Sequence, residues 1–344
     1  MVVTIGAGAI GGLLGGHLSE VVSDTLLVDD WPEHRAAINS AGLQIGGVRG
    51  ERVYHPRAIA LSALRQETAA PLVVFICVKS QDTARVADCL AGVVGPATSV
   101  VSVQNGMNDE LLAQRFGRER VIAVACEVGG YLEHAGRIVE TRRGGAFVIG
   151  ALDGEESPRV HAIAQLMSAC APVTVTRNIM GVRWSKLIWN CMINPISAIT
   201  GWGQGEIVLD AALRTLCLDV GSEAVAVATA AGVQLAPLES MGIDPRRFGS
   251  RGADRVAVED SLVDRYADQL GKTTSMSQDI ARGRSTEVDF LNGYVVRRGA
   301  ELDVATPLNE RLIDIVHAIE RRDVKPAAAL LVPVLGDQPT GDDA

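Results

Sequence analysis

The chain has 344 residues and a formal net charge of -9, and 47% of its residues are hydrophobic. This length suggests about two domains, and the hydrophobic fraction is ample for packed cores. No run of Lys and Arg forms a basic face, which argues against a nucleic-acid-binding protein. The six cysteines make no Cys-x-x-Cys pair, so no metal site is expected.

The first half of the chain alternates strands and helices. Val2–Ile5 is a β-branched run that predicts a strand; a glycine turn, a helical pattern and a second apolar strand at Thr25–Val28 follow. Further apolar runs predict strands at 71–78, 99–103 and 121–125, and a hairpin at 137–141 and 146–149. This alternation is typical of an α/β domain built on a parallel sheet.

The hydrophobic period changes to that of helices after residue 177. Helical patterns are predicted at 182–193, 209–231, 259–266 and 287–301. The sequence therefore predicts an α/β protein with a parallel-sheet domain at 1–177, a mostly α-helical domain at 178–330 and a tail at 331–344. The polar end of that tail, from Gly336 onward, is expected to be disordered.

The stretch GAGAIG after the first strand reads G-x-G-x-x-G and opens a helix, as in Rossmann-type dinucleotide-binding loops. Gly6 permits the tight turn, Gly8 lets the backbone approach a pyrophosphate, and Gly11 lets the helix pack on the strand. At the start of the helix, Ala9 and Ile10 bring backbone N–H groups toward the phosphates. A purely structural glycine turn is the alternative.

Two aspartates, Asp29 and Asp30, end the second strand. A carboxylate there accepts hydrogen bonds from the ribose hydroxyls and repels a 2′-phosphate, which favours NAD over NADP. A solvated pair that opens a turn is the alternative. Arg35 could reach back toward a 2′-phosphate, which leaves NADP open.

Lys186, Asn190 and Asn194 are spaced i, i+4, i+8, so they share one stripe of a helix amid apolar neighbours. A lysine ammonium can protonate the oxygen of a carbonyl that receives hydride and can stabilise the developing alkoxide. The alternative is a surface lysine that lies along the helix. Pro195 predicts that this helix ends or kinks near Asn194.

Four separated stretches resemble the ketopantoate reductase (2-dehydropantoate 2-reductase) family: GAGAIGG, VSVQNGMND, WSKLIWNCMINPISAITG and SMSQDIARGRSTEVDFLNG. The resemblance covers residues 1 to about 320. It implies a hydride transfer between a nicotinamide cofactor and a 2-oxo or 2-hydroxy acid. The alternative is an NAD-dependent dehydrogenase of the same family that acts on a different 2-hydroxy or 3-hydroxy acid. A non-catalytic NAD-binding protein is a further rival.

The resemblance also implies catalytic roles. Lys186 matches the general acid, and Glu287 matches the carboxylate that engages the substrate hydroxyl and orients the lysine. Asn105 matches the asparagine beside the nicotinamide and the reacting carbonyl. Plainer interpretations exist, because Asn105 starts an Asn-Gly turn signal and Glu287 could pair with a nearby arginine, Arg282 or Arg284.

The remaining roles concern binding. Asn190 and Asn194 match amides that contact the substrate, and Ser275 matches a residue that binds its carboxylate. Lys79 matches a lysine at the cofactor and active-site cleft. Alternatively, Ser275 caps a helix in a capping box with Gln278.

Two positions depart from the family pattern. Asp30 stands where NADP-dependent members carry an arginine after the second strand, which supports NAD. Glu127 stands where small or hydroxyl residues are usual, and an inward-facing Glu127 would change the substrate preference. The expected partner is a small 2-oxo acid, with no nucleic acid or membrane, and a homodimer is compatible with the sequence. Because no leader or apolar run of ~18 residues is present, a cytoplasmic location is expected.

Overall fold

The computed structural model describes residues 1–68 and 70–336. The chain forms two compact units, the first ending at Arg183 and the second beginning at Trp184. The boundary predicted from the sequence, after residue 177, lies just before the long helix Ile179–Thr200. The division between the two units falls inside that helix. The predicted class, an α/β first domain followed by a mostly helical one, is confirmed.

The named strands of the described residues lie in the first unit. They are β1 Val2–Ile5, β2 Thr25–Val28, β3 Leu43–Gly47, β4 Arg52–Tyr54, β5 Arg57–Ile59, β6 Val73–Ile76, β7 Ser99–Ser102, β8 Val121–Cys126, β9 Gly130–His134, β10 Arg137–Glu140, β11 Phe147–Ala151 and β12 Val173–Val175.

The helices follow the same chain order, with α7 running from the first unit into the second. They are α1 Ala9–Val21, α2 Pro32–Ala41, α3 Leu64–Glu67, α4 Thr83–Leu90, α5 Asp109–Phe116, α6 Pro158–Met167, α7 Ile179–Thr200, α8 Gln204–Leu209, α9 Ala211–Ala230, α10 Gly252–Tyr266, α11 Ser275–Ala281, α12 Asn292–Glu301, α13 Pro307–Glu320 and α14 Val332–Gly336.

The larger sheet of the described residues has the order β12-β11-β8-β7-β6-β1-β2-β5. Adjacent strands in this sheet are parallel, except that β8 and β11 pair with each other in antiparallel orientation. The central strand β1 pairs with β2 on one side and β6 on the other, so Ile5 lies opposite both Val28 and Ile76. After β1, the chain builds the sheet first on one side, with β2, and later on the other side, with β6, so β1 lies at the topological switch point. Ligands of open α/β sheets bind beyond the carboxyl ends of the strands at such a point. The glycine turn follows β1 at this point.

The central strands are apolar because both faces of the sheet are covered. All residues of β1, β2, β6 and β7 are buried. Strands buried on both faces read as continuous hydrophobic runs instead of alternating ones. That property made these four strands visible in the sequence.

The smaller sheet has the order β4-β3-β10-β9 and overturns one prediction. β10 pairs with β3 and β9, whereas β11 pairs with β8 and β12 in the larger sheet. The predicted hairpin of 137–141 and 146–149 is therefore wrong. A strand pattern indicates which faces are buried but not which strand lies alongside, and that choice depends on distant residues.

The second unit is helical in its described residues, with two differences from the sequence patterns. α7 continues through Pro195 to Thr200, so the helix does not end near Asn194. The pattern at 287–301 is not one helix, because a 3-10 turn at Val288–Phe290 precedes α12. In the described part of the chain, no helix is long and apolar enough to cross a membrane.

The predicted tail of 331–344 begins with folded structure. Leu331 and Val334 are buried, and α14 covers most of the residues up to Gly336. The apolar sequence around these two residues explains why this stretch packs. Residues 337–344, for which disorder was expected, lie outside the described residues.

Candidate active site

Three glycines shape the turn between β1 and α1. Gly6 has φ +90°, and a Cβ there would lie 2.9 Å from the backbone N of Val78. A Cβ on Gly11 would lie only 1.9 Å from the carbonyl oxygen of Gly6. A Cβ on Gly8 would meet no atom within 4 Å, so open space lies over this part of the turn. The first and last glycines are needed for the fold, whereas Gly8 keeps room for a ligand.

The amino end of α1 is suited to an anion. The helix begins at Ala9, and its N-cap Gly8 makes no side-chain capping bond. The first N–H groups of a helix have no partner inside the helix. The backbone at Ala9 and Ile10 can therefore donate to a phosphate, as the motif predicts.

Asp29 fastens this turn to the end of β2. Its Oδ2 accepts a hydrogen bond from the Ala7 N–H at 2.9 Å, and its Oδ1 accepts one from the Trp31 N–H at 2.9 Å. The buried ring of His34 holds the other side of Ala7, with Nε2 at 2.9 Å from the Ala7 carbonyl oxygen. The Gly136 N–H donates to His34 Nδ1 at 2.8 Å, so Nε2 carries the proton. The sequence analysis missed His34, which no motif marks.

Asp30 forms an ion pair that the sequence did not reveal. Its Oδ2 lies 2.9 Å from Arg85 NH1, and its Oδ1 accepts the Leu61 N–H at 3.1 Å. Partial burial works to raise the pKa of Asp30, but these hydrogen bonds outweigh it and the pKa lies below its ordinary value. Arg35 lies close by, because its NH1 donates to the Asp29 carbonyl oxygen at 2.8 Å. Two arginines thus accompany the aspartate pair.

A buried arginine holds the turn that carries Asn105. Gly106 has φ +73°, as the Asn-Gly turn signal suggests. The guanidinium of Arg183 donates to the carbonyl oxygens of Gln104 at 2.5 Å and Gly106 at 2.7 Å. It also lies 2.9 Å from the carboxylate of Asp109. The backbone on both sides of Asn105 is therefore fixed.

The segment after β6 lies beside this turn. Lys79, which is half-buried, directly precedes a 3-10 turn that starts at Ser80. The Ser80 hydroxyl donates to the Asn105 carbonyl oxygen at 3.3 Å, and Asn108 Nδ2 donates to the same oxygen at 2.9 Å. The first unit thus brings the predicted residues Lys79 and Asn105 onto neighbouring loops.

One face of α7 carries the predicted lysine and both amides. Lys186 is half-buried, and the exposed fractions of Asn190 and Asn194 are 5% and 6%. In the described structure, the buried Nδ2 of Asn190 has no hydrogen-bond partner. A buried donor without a partner is costly, so this amide is suited to a ligand. The lysine Nζ lies 3.8 Å from the sulfur of Met241.

Met241 is a neighbour of the lysine that sequence analysis missed. It is buried and ends a 3-10 turn, and its carbonyl oxygen accepts hydrogen bonds from Tyr266 Oη at 3.0 Å and from Arg265 Nε. An apolar residue in an irregular segment has no periodic signal. The apolar thioether contributes to the low-polarity surroundings of the ammonium.

Ser275 is the first residue of α11, and Glu287 lies after the end of this helix. Thr274 caps this helix, since its hydroxyl accepts the Ser277 N–H at 3.3 Å. The interpretation of Ser275 as the cap is therefore wrong, and its exposed side chain starts the helix. Glu287 is buried and precedes the 3-10 turn before α12. Glu127, the other notable carboxylate, is also buried and directly follows β8.

Comparisons with known proteins agree with the motifs. A family model described as ketopantoate reductase PanE/ApbA matches residues 2–154. A model of the family's C-terminal part matches residues 178–320. A 2-dehydropantoate 2-reductase of Mesorhizobium japonicum is 32% identical over 352 residues, which cover 94% of this chain and 97% of that protein.

Solved structures share the architecture. A PanE/ApbA family ketopantoate reductase from Ralstonia eutropha is 29% identical with a TM-score of 0.77, covering 94% of this chain and 99% of its own. D-mandelate dehydrogenase with NADH and anilino(oxo)acetate is 23% identical with a TM-score of 0.80, covering 94% and 100%. A dimeric ketopantoate reductase from Staphylococcus aureus is 18% identical with a TM-score of 0.70, covering 94% and 99%. The last two show a shared fold alone.

Proposed function

Because the chain belongs to the ketopantoate reductase family, a family of oxidoreductases, we propose that it reduces the ketone of 2-dehydropantoate with a nicotinamide cofactor. Hydride is added to the ketone carbon and a proton to its oxygen, which gives a 2-hydroxy acid. The observation that carries this proposal is the face of α7, where Lys186 stands one helical turn from the unpartnered amide of Asn190.

Lys186 acts as the general acid. Its ammonium donates a proton to the oxygen of the carbonyl as negative charge develops there. The burial of its surroundings, including the Met241 sulfur at 3.8 Å, strengthens its electrostatic effect on that oxygen. Asn190 supplies a hydrogen-bond donor that is already oriented and needs no reorganisation when substrate binds.

The other family residues orient the substrate in this proposal. Ser275 and Asn194 bind the carboxylate and set the face that receives hydride. Glu287 binds the distal hydroxyl of the substrate and orients the lysine. The buried position of Glu287 suits such a role, because a carboxylate shielded from water makes stronger hydrogen bonds.

The first unit would hold the nicotinamide cofactor, which would supply the hydride when bound. The open space over Gly8 and the uncapped start of α1 fit a pyrophosphate. Asn105 would lie beside the nicotinamide, and Lys79 would line the cofactor and active-site cleft, as the family resemblance implies. Asp29 and Asp30 favour NAD by repelling a 2′-phosphate.

A second candidate is an NAD-dependent reduction of another 2-oxo acid or of a 3-oxo acid by the same residues. The buried carboxylate of Glu127 favours it, since the family pattern has small or hydroxyl residues there. A shared fold with D-mandelate dehydrogenase fits the same alternative. Turnover of a panel of 2-oxo and 3-oxo acids, 2-dehydropantoate included, distinguishes the two candidates.

The test of the proposed function is turnover by wild-type protein and by Lys186→Ala, with NADH and NADPH in parallel. We expect the variant to lose several orders of magnitude in kcat while NADH still binds, because the cofactor is held by the first unit. Lys325→Ala removes an exposed lysine and is the matched control, with full activity expected. Unchanged kcat in Lys186→Ala, or no turnover of any oxo acid by the wild type, would refute the proposal.

The assembly we propose is a homodimer, in line with the dimeric relative from Staphylococcus aureus. Light scattering with size-exclusion chromatography measures the mass directly. A monomer at working concentration would contradict this part of the proposal. The cytoplasmic location stays a prediction.

A further inference from the structure

Pro195 creates an unusual carbonyl group in α7. In an α-helix the N–H of each residue donates to the carbonyl oxygen four residues earlier, and proline has no N–H. Within this helix, the carbonyl of Cys191 therefore lacks its regular donor. Cys191 directly follows Asn190 in the chain, so this gap occurs within the helix that carries the proposed active-site face.

The side chain of Asn292 fills the gap. Its Nδ2 donates to the Cys191 carbonyl oxygen at 3.1 Å and to Asn309 Oδ1 at 2.9 Å. Asn292 and Asn309 both have an exposed fraction of 0%. Both hydrogens of the Asn292 amide are thus used, and the opposite orientation of the amide would place its oxygen against two acceptors.

The half-buried carboxylate of Glu223 holds Asn309 in turn. Asn309 Nδ2 donates to Glu223 Oε2 at 2.7 Å, and the backbone N–H groups of Leu308 and Asn309 donate to the same carboxylate at 2.9 and 3.0 Å. Burial raises the pKa of Glu223, although these three donors oppose the shift. The orientation of Asn292 is therefore determined by α9 and α13 together.

Asn292 is also tightly connected to Glu287. The N–H of Leu291 donates to the Glu287 carbonyl oxygen at 3.0 Å, so a single 3-10 turn separates the carboxylate from Asn292. The Oδ1 of Asn292 is buried and has no partner in the described structure. An unpartnered buried acceptor is costly, so the Asn292 amide stabilises the fold by less than its two donated hydrogen bonds alone would.

We infer that Asn292 and Pro195 form a positioning device, in which the proline exposes the Cys191 carbonyl and Asn292 docks the Glu287 segment onto it. The device sets where the Glu287 carboxylate stands relative to Lys186 and Asn190. Asn292 touches no substrate and acts through Glu287. This inference rests on the proposed function, because it assigns a position to that reaction's carboxylate.

The experiment compares Asn292→Ala, Pro195→Ala and the double variant, after the wild type has been shown to reduce a 2-oxo acid. Asn292→Ala leaves the Cys191 carbonyl without a donor and frees the Glu287 segment. We expect Tm to fall by roughly 2–8 °C and kcat by roughly 10- to 100-fold, since small misplacements of reacting groups are that costly. The Kd for NADH, measured by fluorescence, should not change.

The double variant separates an effect on the position of the Glu287 segment from an effect on folding stability. The alanine that replaces Pro195 in that variant restores an N–H for the Cys191 carbonyl, so we expect Tm to recover most of its loss. The Glu287 segment remains undocked, so kcat should stay low. A matched control is Thr98→Val, which removes another buried side-chain donor to a backbone carbonyl, that of Pro71 at 2.6 Å, before β7. It should lower Tm and leave kcat unchanged.

Two results would overturn the inference. One is an Asn292→Ala protein with lowered Tm and wild-type kcat, and the other is a double variant that recovers kcat together with Tm. Either would assign Asn292 to stability alone. Failure of the wild type to reduce any oxo acid would instead refute the proposed function, so the two failures are distinct.

Discussion

The carboxylate of Asp29 accepts a hydrogen bond from the backbone N–H of Ala7 at 2.9 Å, which ties the end of β2 to the glycine turn after β1. Its second oxygen accepts the N–H of Trp31 at 2.9 Å. Asp29 therefore supports the shape of the turn, beyond the ribose contact that its place in the sequence suggests. This arrangement ties the geometry of the phosphate site to one carboxylate.

Asp29→Asn tests this support. In the wild type, each carboxylate oxygen of Asp29 accepts one backbone N–H. The asparagine side chain keeps only one oxygen and places an NH2 group at the other position, so one of the two backbone N–H groups loses its acceptor. We expect the Kd for NADH to rise about tenfold or more, because hydrogen bonds to charged groups contribute ~1.5–3 kcal/mol. Fluorescence titration measures it.

The control for that variant is Asp153→Asn. Asp153 also accepts a backbone N–H, that of Glu155 at 3.0 Å, but in an exposed turn after β11. NADH affinity should be unchanged there. Equal affinities of wild type and Asp29→Asn would show that the turn keeps its shape without this carboxylate.

We expect cofactor preference to depend on the charge balance at Asp30. The Asp30 carboxylate forms an ion pair with Arg85. Its removal takes away the negative charge that repels a 2′-phosphate and leaves Arg85 and Arg35 near the proposed ribose site. Asp30→Ala is expected to shift the ratio of kcat/KM for NADPH over NADH upward by about tenfold or more. Wild-type protein that prefers NADPH strongly would contradict the assignment of NAD.

Arg183 should be essential for stability. It is 3% exposed, and its guanidinium satisfies three carbonyl oxygens and the carboxylate of Asp109. Arg183→Met leaves that carboxylate buried without its partner, which typically costs ~3–5 kcal/mol. Urea unfolding of the variant measures the loss.

The matched comparison is Arg177→Met, which removes a surface pair with Glu156 at 3.2 Å. Exposed pairs contribute at most ~1 kcal/mol. Similar losses in both arginine variants would mean that the buried network around Asn105 is dispensable.

His17 should make the protein less stable in mild acid. Burial, with help from Arg49 and Arg52, lowers the pKa of His17 to about 4 from 6.5. Above pH 6.5 both folded and unfolded forms are neutral. As the pH falls from 6.5 toward 4, the unfolded chain binds a proton that the folded chain does not, so stability decreases.

The size of this effect is at most roughly 3 kcal/mol. Arg49 NH2 lies 3.2 Å from His17 Nε2 and can only donate, which requires the neutral ring. We expect His17→Asn, which cannot titrate, to lose less stability between pH 7.5 and pH 5 than the wild type in urea unfolding. Parallel pH profiles would exclude His17 as the cause.

Much of the proposed cofactor-binding part of the first unit could be predicted from local patterns. A parallel strand buried on both faces, a glycine turn and a helix start are adjacent in the chain, so short-range chemistry reveals them. The lysine and two amides on α7 were equally visible, because helical spacing places them on one face. Two strands of the smaller sheet, β3 and β4, were not, because Leu43–Gly47 ends in two adjacent glycines and Arg52–Tyr54 is only three residues long.

The amino-acid order was sufficient to determine the type of the central strands and of the helices that carry the motifs, α1 and α7, since these depend on neighbours a few residues away. It also revealed the chemistry of their conspicuous side chains. Only the tertiary structure decided which distant groups satisfy one another. Asp30 pairs with Arg85 across 55 positions, and Asn292 reaches the Cys191 carbonyl across 101. The turn of the dinucleotide motif is held by hydrogen bonds between Ala7 and the side chains of Asp29 and His34. The reason is physical: a buried polar group must find a partner wherever the fold places one, and no local pattern specifies where that is.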